Sequence, residues 1–249
     1  MLPSQKFTAA FASAPQAPRT LVEEAYLKLR QDIIELRLQP GEKLRVEHLK
    51  DRYGVGAGTL REALSLLLSD ALVLAEGQRG FHVAPISMAD LEDLTRTRVL
   101  LEQDALKSSI RQGDGHWEAA LDESYSHLGE TERQLGGSGI SLRDWEECNR
   151  VFHEVLIGAD RSRWIRYLLG LSYRQLERYR HLAMSLPNPK RDIAEEHRQI
   201  YVAAKARDTR KAARLLENHI WETFESLRRL DATEFERVTM RQNRTTTME

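Results

Sequence analysis

Cysteine is almost missing from this chain. Cys148 is the one thiol in 249 residues. A lone thiol excludes an internal disulfide and a Cys-rich zinc module, and it fits a cytoplasmic protein. Long apolar runs are missing too. No stretch approaches the roughly 20 residues that cross a bilayer, so no membrane partner is expected. The N-terminus has no charged stretch followed by an apolar core, and it does not read as a secretory signal. The third absence is an excess of either charge: 37 Lys and Arg stand against 38 Asp and Glu, a formal net charge of -1. Between Arg19 and Ile86 ten basic residues meet ten acidic ones. Bulk charge therefore lends no support to nucleic-acid binding. Such a role has to rest on motif, with cations gathered on one face. What is present is ordinary for a folded protein, 41% hydrophobic and 30% charged, with length for one large domain or two small ones.

Residues 1–18 are rich in Ala, Pro, Gln and Ser without apolar periodicity, which predicts a flexible tail. After Thr20, the spacing of Leu21, Ala25, Leu29, Ile33 and Leu36 or Arg37 predicts a helix that Pro40-Gly41 ends. A short helix over Val46–Tyr53 turns Leu49 and Tyr53 inward. After Gly54-Val55-Gly56, a third runs over Ala57–Asp70 and buries Leu60, Ala63, Leu64 and Leu67. Leu72-Val73-Leu74, a turn over Glu76–Gly80 and Phe81–Ala84 read as a β-hairpin. Three helices and a hairpin make a winged helix-turn-helix, placed at residues 19–86. From Ser87 the pattern is helical, over about 88–112, 116–135, 141–158, 162–185, 190–207 and 209–230. Ser87 with Asp90, and Ser141 with Asp144, are capping-box-like starts. Gly113–Gly115, Gly136–Gly139, Asp160, Pro187–Pro189 and Asp208 separate the helices. The expected fold is mainly α, with an all-α bundle over 87–236 and a second polar tail over 237–249.

A recognition helix reaches base edges with its N-terminal residues. On this plan Gly54 and Gly56 permit the turn, and Thr59 and Arg61 lie in the exposed first turns of the third helix. Arg79 and Gly80 sit at the wing tip, and Arg45 is a further phosphate-contact candidate. Three histidines, His153, His197 and His219, each fall on the apolar side of a different helix, and Asn149 lies one turn before His153. Converging in a bundle core, they would suit a divalent metal, with Asn149 as an oxygen ligand. Hydrogen-bonded core histidines are the alternative. His48, His82, His116, His127 and His181 read as surface or incidental residues. His153-Glu154 is not continued into a His-Glu-x-x-His motif.

Three segments resemble the GntR superfamily in its FadR-like branch, which carries a C-terminal FCD ligand domain. They are Leu38-Gln39-Pro40-Gly41-Glu42-Lys43-Leu44, Leu60-Arg61-Glu62-Ala63-Leu64 and Gly80-Phe81-His82-Val83. The resemblance covers most of residues 20–230. It departs where the family has Ser-Arg after Gly-Val and a Pro before the Arg-Glu-Ala-Leu run; here stand Gly56-Ala57 and Thr59. The missing arginine is a usual DNA contact, so no operator sequence carries over.

The resemblance implies a homodimeric transcriptional regulator, a repressor by commoner expectation, on palindromic double-stranded DNA. It implies a metal, zinc or nickel foremost, held by His153, His197 and His219, with Asn149 where the family has Asp. It implies that Arg98, one turn before Glu102, faces an effector cavity, where an arginine fork suits a small carboxylic acid. Gly113–Glu118 and Arg178-Tyr179-Arg180 are similar to a carbon-starvation-type repressor group, whose effectors include five-carbon dicarboxylates. That makes Arg180 a second effector-contact candidate, against the reading of an exposed charged face. A metal-dependent enzyme acting on a small acid is the rival, but no general base or nucleophile motif accompanies the histidines.

Overall fold

The computed structural model describes residues 18, 20–77, 80–135, 140–184 and 191–229. The expected tails, apart from Pro18, lie outside these residues, as do Arg79 at the wing tip and the separators Gly136–Gly139 and Pro187–Pro189.

Thr20 caps helix α1 (Leu21–Ile34) by accepting from the Glu23 N–H at 3.1 Å. Ala25, Leu29 and Ile33 form its buried stripe. The helix stops short of the expected Leu36, which turns left-handed at φ 59°. That conformation costs a non-glycine residue about 1–2 kcal/mol. It delivers a leucine, only 4% exposed, to a cluster with Leu91, Leu176, Tyr179 and Phe224 of the C-terminal domain. Burying a leucine side chain returns about 1.5–3 kcal/mol, which offsets the strain. The break thus docks one domain on the other.

Strand β1 (Lys43–Leu44) leads into α2 (Val46–Tyr53), and α3 spans Ala57–Ser69. Gly54, left-handed at φ 64°, closes α2 by donating to Lys50 O, the turn expected of it. Gly56 differs from expectation: its φ is -69° and open space surrounds it, so the backbone requires no glycine there. Strands β2 (Val73–Ala75) and β3 (Phe81–Val83) form the wing hairpin. β1 completes an antiparallel sheet of order β1-β3-β2, with Lys43 opposite His82 and Val73 opposite Val83. β1 is two residues long, too short for an alternating pattern to reveal. Asp32, a buried carboxylate, ties α1 to its surroundings through Arg37 at 2.6 Å and Arg52 at 2.8 Å, with the Tyr53 hydroxyl also donating to it.

The C-terminal domain is built of α4 (Met88–Gln112), α5 (Gly115–Gln134), α6 (Leu142–Leu156), α7 (Arg163–Met184), α8 (Ile193–Lys205) and α9 (Thr209–Arg228). Ser87 caps α4, and Ser141 with Asp144 forms a full capping box on α6. α4 packs between α7 and α9, and α5 packs on α6 and α8. Leu106, Leu121, Phe152, Leu156, Ile200 and Leu216 fill the centre.

α7 also joins the domains. Its Glu177 receives Arg30 of α1 in a two-pronged pair, and Arg174 reaches Asp70 at 2.8 Å. Arg178, fully buried, donates to Ala84 O at 2.7 Å. The exposed charged face considered for Arg178 and Arg180 is therefore not found: both are buried.

The corner between α4 and α5 is set by contact. A Cβ on Gly113 would stand 2.3 Å from Trp117 Cε3 and 2.8 Å from Ser109 O. Trp117 cannot retreat cheaply, because its indole N–H donates to Val155 O at 2.8 Å. We expect Gly113→Ala to lower the unfolding free energy by about 1–3 kcal/mol, measured by urea denaturation, whereas Gly115→Ala, in open space, should change it little.

Candidate functional site

Every helix of the bundle contributes to one central cluster. α6 supplies His153 and Asn149, α8 His197, and α9 His219. The three rings lie with centroids 4.6, 5.1 and 5.6 Å apart, and one ligand atom from each falls within 4.8 Å of the others. Behind each ring stands a carboxylate. His153 Nδ1 is 2.9 Å from Glu102 of α4, His197 Nδ1 2.6 Å from Glu132 of α5, and His219 Nδ1 2.7 Å from Glu196 of α8. A carboxylate accepts only, so each Nδ1 carries a proton and each Nε2 is turned away from its carboxylate. Nε2 of His153 and of His197, and Oδ1 of Asn149, are buried without a hydrogen-bond partner.

Electrostatics keep these ligand atoms available. Burial pushes the His153 imidazole down to about 4, against the pull of Glu102, and depresses His219 well below its ordinary value. Both are neutral at pH 7. Burial alone would raise Glu102, yet Arg98 and His153 outweigh it and hold the carboxyl at about 2. Arg98 donates from Nε to Glu102 at 2.6 Å, and its guanidinium sits 4.6 Å from the centre of the Tyr173 ring. The Tyr173 hydroxyl donates to Glu102 at 2.8 Å. The ordinary i, i+4 ion pair is therefore present, and much of Arg98's fork is already engaged.

A cavity of about 180 Å³ opens beside the cluster, lined among others by Arg98, Arg180, Arg191, Asn149, His219 and Thr223. That is below the roughly 300–1,000 Å³ of drug-sized sites. Arg180 pairs with Glu146 through Nε at 2.9 Å, but its Nη1 is buried without a partner. Arg191 holds Glu196 from two nitrogens at 3.0 Å and the His219 carbonyl at 3.1 Å. Arg180 also lines a second, larger space of about 1030 Å³ between α1 and α6–α7, which Glu146, Arg30, Arg174 and Glu177 line as well.

On the N-terminal domain, Arg45 precedes α2 and Arg61 lies in the second turn of α3; both are exposed, and Thr59 is half-exposed. Neither arginine makes a hydrogen bond or ion pair through its side chain with any described residue. By contrast, Lys28, Arg30, Arg37, Lys50 and Arg52 all sit in ion pairs. The domain's zero net charge thus conceals cations without an ion pair among the described residues: Arg45 and Arg61, and Lys43 on β1. Gly80 ends the wing loop at φ 94°, its carbonyl accepting from the Glu76 N–H.

Two family models match the chain: "Bacterial regulatory proteins, gntR family" over residues 21–83 and the FCD domain over residues 93–221. The chain belongs to the GntR family of transcriptional regulators, with an FCD domain. This GntR-family chain is 43% identical over 215 residues to the uncharacterized HTH-type transcriptional regulator BphR of Paraburkholderia xenovorans, covering 84% of this chain and 88% of that one. It is 30% identical over 204 residues to the HTH-type transcriptional repressor GlaR of Escherichia coli, covering 79% and 91%. Among solved structures, E. coli McbR/YncC superposes with a TM-score of 0.68 at 19% identity, covering 84% of this chain and 98% of that one. Lar of Listeria monocytogenes superposes with a TM-score of 0.60 at 19% identity, covering 87% and 100%. The protein is a DNA-binding transcriptional regulator rather than an enzyme, and none of its described helices is long and apolar enough to cross a membrane.

The structure brings together Asn149, His153, His197, His219, Arg98 and Arg180 as one site. Sequence reasoning missed Glu102 in its role toward His153, and missed Glu132, Glu196 and Arg191 altogether. A Glu pairing an inward His across helices leaves no spacing to read. The donor set fits a divalent metal: three converging imidazoles with Nδ1 fixed by carboxylates, and buried unpartnered atoms on His153, His197 and Asn149. We expect titration calorimetry to show Zn²⁺ or Ni²⁺ binding that His197→Ala abolishes. Glu132→Gln, touching only Nδ1, should weaken it about 10–100-fold.

Proposed function

We propose that this regulator binds a palindromic operator as a homodimer. Its grip is set by a small carboxylic acid held in the 180 Å³ cavity beside a divalent ion, zinc or nickel. The observation that carries this reading is Arg180: a guanidinium with one nitrogen buried and unpartnered, lining a small cavity that opens at the histidine cluster. An unsatisfied buried donor costs about 1–3 kcal/mol, more when charged. An acid carboxylate satisfies it with a charge-assisted bond.

His153, His197 and His219, each through Nε2, and Asn149 through Oδ1 would hold the metal. When bound, the metal would supply positive charge beside the cavity that Arg180 and His219 line, which suits an acid. Asn149 brings no negative charge, so the site leaves more net positive charge for the acid than an Asp would. Arg191 orients the cluster by holding Glu196, and Arg98 does so by holding Glu102.

The effector acts only through different affinity for two arrangements of the chain. Arg180 is the shared wall between the effector cavity and the interdomain cleft. A carboxylate that draws Arg180 inward loosens Glu146 and shifts α7. That helix grips the DNA-binding domain through Glu177, Arg174 and Arg178. Release of the operator by the acid, the behaviour of a repressor, follows if the acid-bound α7 misaligns the two recognition helices. Arg45, Thr59, Arg61 and the wing at Arg79-Gly80 are the proposed DNA contacts.

Purified protein mixed with fragmented DNA of its source, followed by sequencing of what it retains, should enrich a few palindromes. Arg61→Ala should then cost about 1–3 kcal/mol of operator affinity. A panel of small mono- and dicarboxylic acids, five-carbon dicarboxylates included, should contain one that raises the melting temperature and changes operator affinity. Arg180→Lys keeps the charge beside Glu146 but loses the fork; it should bind the operator normally and respond to that acid at least about tenfold less. If no acid moves either the melting temperature or operator affinity, the effector reading is wrong.

A further inference from the structure

Leu100 is the most exposed of the large apolar side chains among the described residues, at 73%. It lies mid-way along α4, a helix whose other three sides are taken. Gln103 reaches α9 by donating to Ala213 O at 3.1 Å. Asp90 meets α7 by accepting from the Tyr179 hydroxyl at 2.7 Å. Arg98 and Glu102 face the histidine cluster. The remaining side carries Ala89, Asp93, Arg96, Thr97, Leu100, Asp104 and Arg111, all exposed, and the half-buried Lys107. Asp93, Leu100 and Lys107 recur every seven residues, so they run in a nearly straight line down the helix. Asp93, Asp104 and Lys107 make no hydrogen bond or ion pair with any described residue.

The four charges nearest Leu100 on this side are antisymmetric about it; Arg111, nearer the end of the helix, has Ala89 at its mirror position. Seven residues before it stands Asp93, and seven after it Lys107; four before stands Arg96, and four after it Asp104. An identical helix running antiparallel, Leu100 against Leu100, brings every acid to the height of a base. A parallel copy in register would set each charge against itself. Antiparallel pairing about one point is the isologous contact that a two-fold dimer requires. Another exposed apolar group, Trp164, Tyr167 and Leu168 at the start of α7, has no such mirrored pattern.

We propose that a second copy of this chain docks on this face, α4 against α4 and antiparallel, with the two-fold axis passing at Leu100. This rests on the homodimer reading above and names its surface. Because α4 also carries Arg98 and Glu102, the contact would set the effector sites of the two copies back to back.

The test uses the full chain with Cys148→Ser, which removes the native thiol. Leu100→Cys places two thiols on the proposed axis, and a disulfide needs Cα atoms within roughly 7 Å. Mild oxidation should convert this variant to a covalent dimer, while Val202→Cys, at an exposed site on α8, should stay uncrosslinked. In sedimentation velocity, Asp93→Lys should raise the dimer dissociation constant about tenfold by setting lysine against Lys107 twice. Asp93→Lys with Lys107→Asp should restore it. Both positions face solvent, and circular dichroism checks that the variants fold. A native chain that stays monomeric at all concentrations overturns the homodimer reading and this inference with it. A native dimer in which Leu100→Cys does not crosslink and Asp93→Lys changes nothing overturns this face alone. Dissociation by Trp164→Glu in that case moves the interface to α7.

Discussion

Three carboxylates, each set behind an imidazole, are the constraint on which the C-terminal domain depends. Glu102, Glu132 and Glu196 come from α4, α5 and α8, and the imidazoles they orient come from α6, α8 and α9. Each pair crosses from one helix to another, so the helices cannot slide independently without separating an acid from its buried ring. Fixing the proton on Nδ1 leaves Nε2 of His153 and His197, with Oδ1 of Asn149, buried and unmatched. Such atoms cost about 1–3 kcal/mol each. A bundle that merely sought stability would fill these positions with leucine. A set of unmatched donor atoms on converging helices is what a cation site looks like before the cation is considered.

The second constraint is α7, whose two faces serve different domains. Tyr173 and Arg180 are seven residues apart and share the face toward the histidine cluster and its cavity. Arg174, Glu177 and Arg178 lie on the faces between and meet the DNA-binding domain. A helix is stiff over this length, so a change at one face is felt at the other. The buried cluster of Leu36, Leu91, Leu176, Tyr179 and Phe224 makes the docking apolar as well as ionic. A screened surface pair would be worth about 0–1 kcal/mol, and the packed cluster contributes the larger share of the hold.

The DNA-binding domain shows how little net charge says about a charged surface. Its cations outnumber nothing, yet Lys28, Arg37, Lys50 and Arg52 are neutralised by neighbours on α1 and α2, while Lys43, Arg45 and Arg61 make no ion pair with a described residue. Electrostatic attraction to phosphate depends on where cations are left unpaired, and that is a property of the fold.

Periodicity alone was enough for the elements. Helix bounds in the C-terminal domain were legible to within three residues at each end, because long amphipathic stretches between Gly, Pro and capping residues carry a strong signal. The convergence of Asn149, His153, His197 and His219 was legible as an inward-facing set. β1 was not, being two residues long, and neither was the break at Leu36, where burial across the domain interface overrides helix propensity. The partners of the histidines were hidden too: Glu102, Glu132 and Glu196 look like any acid on a helix until packing sets each against an imidazole of another helix. Sequence by itself determined which residues face inward, since that depends on spacing within one helix. Which inward residues meet, which cations stay unpaired, and where one cavity ends and the next begins were decided only by tertiary packing, because those depend on distances between helices that no local pattern encodes.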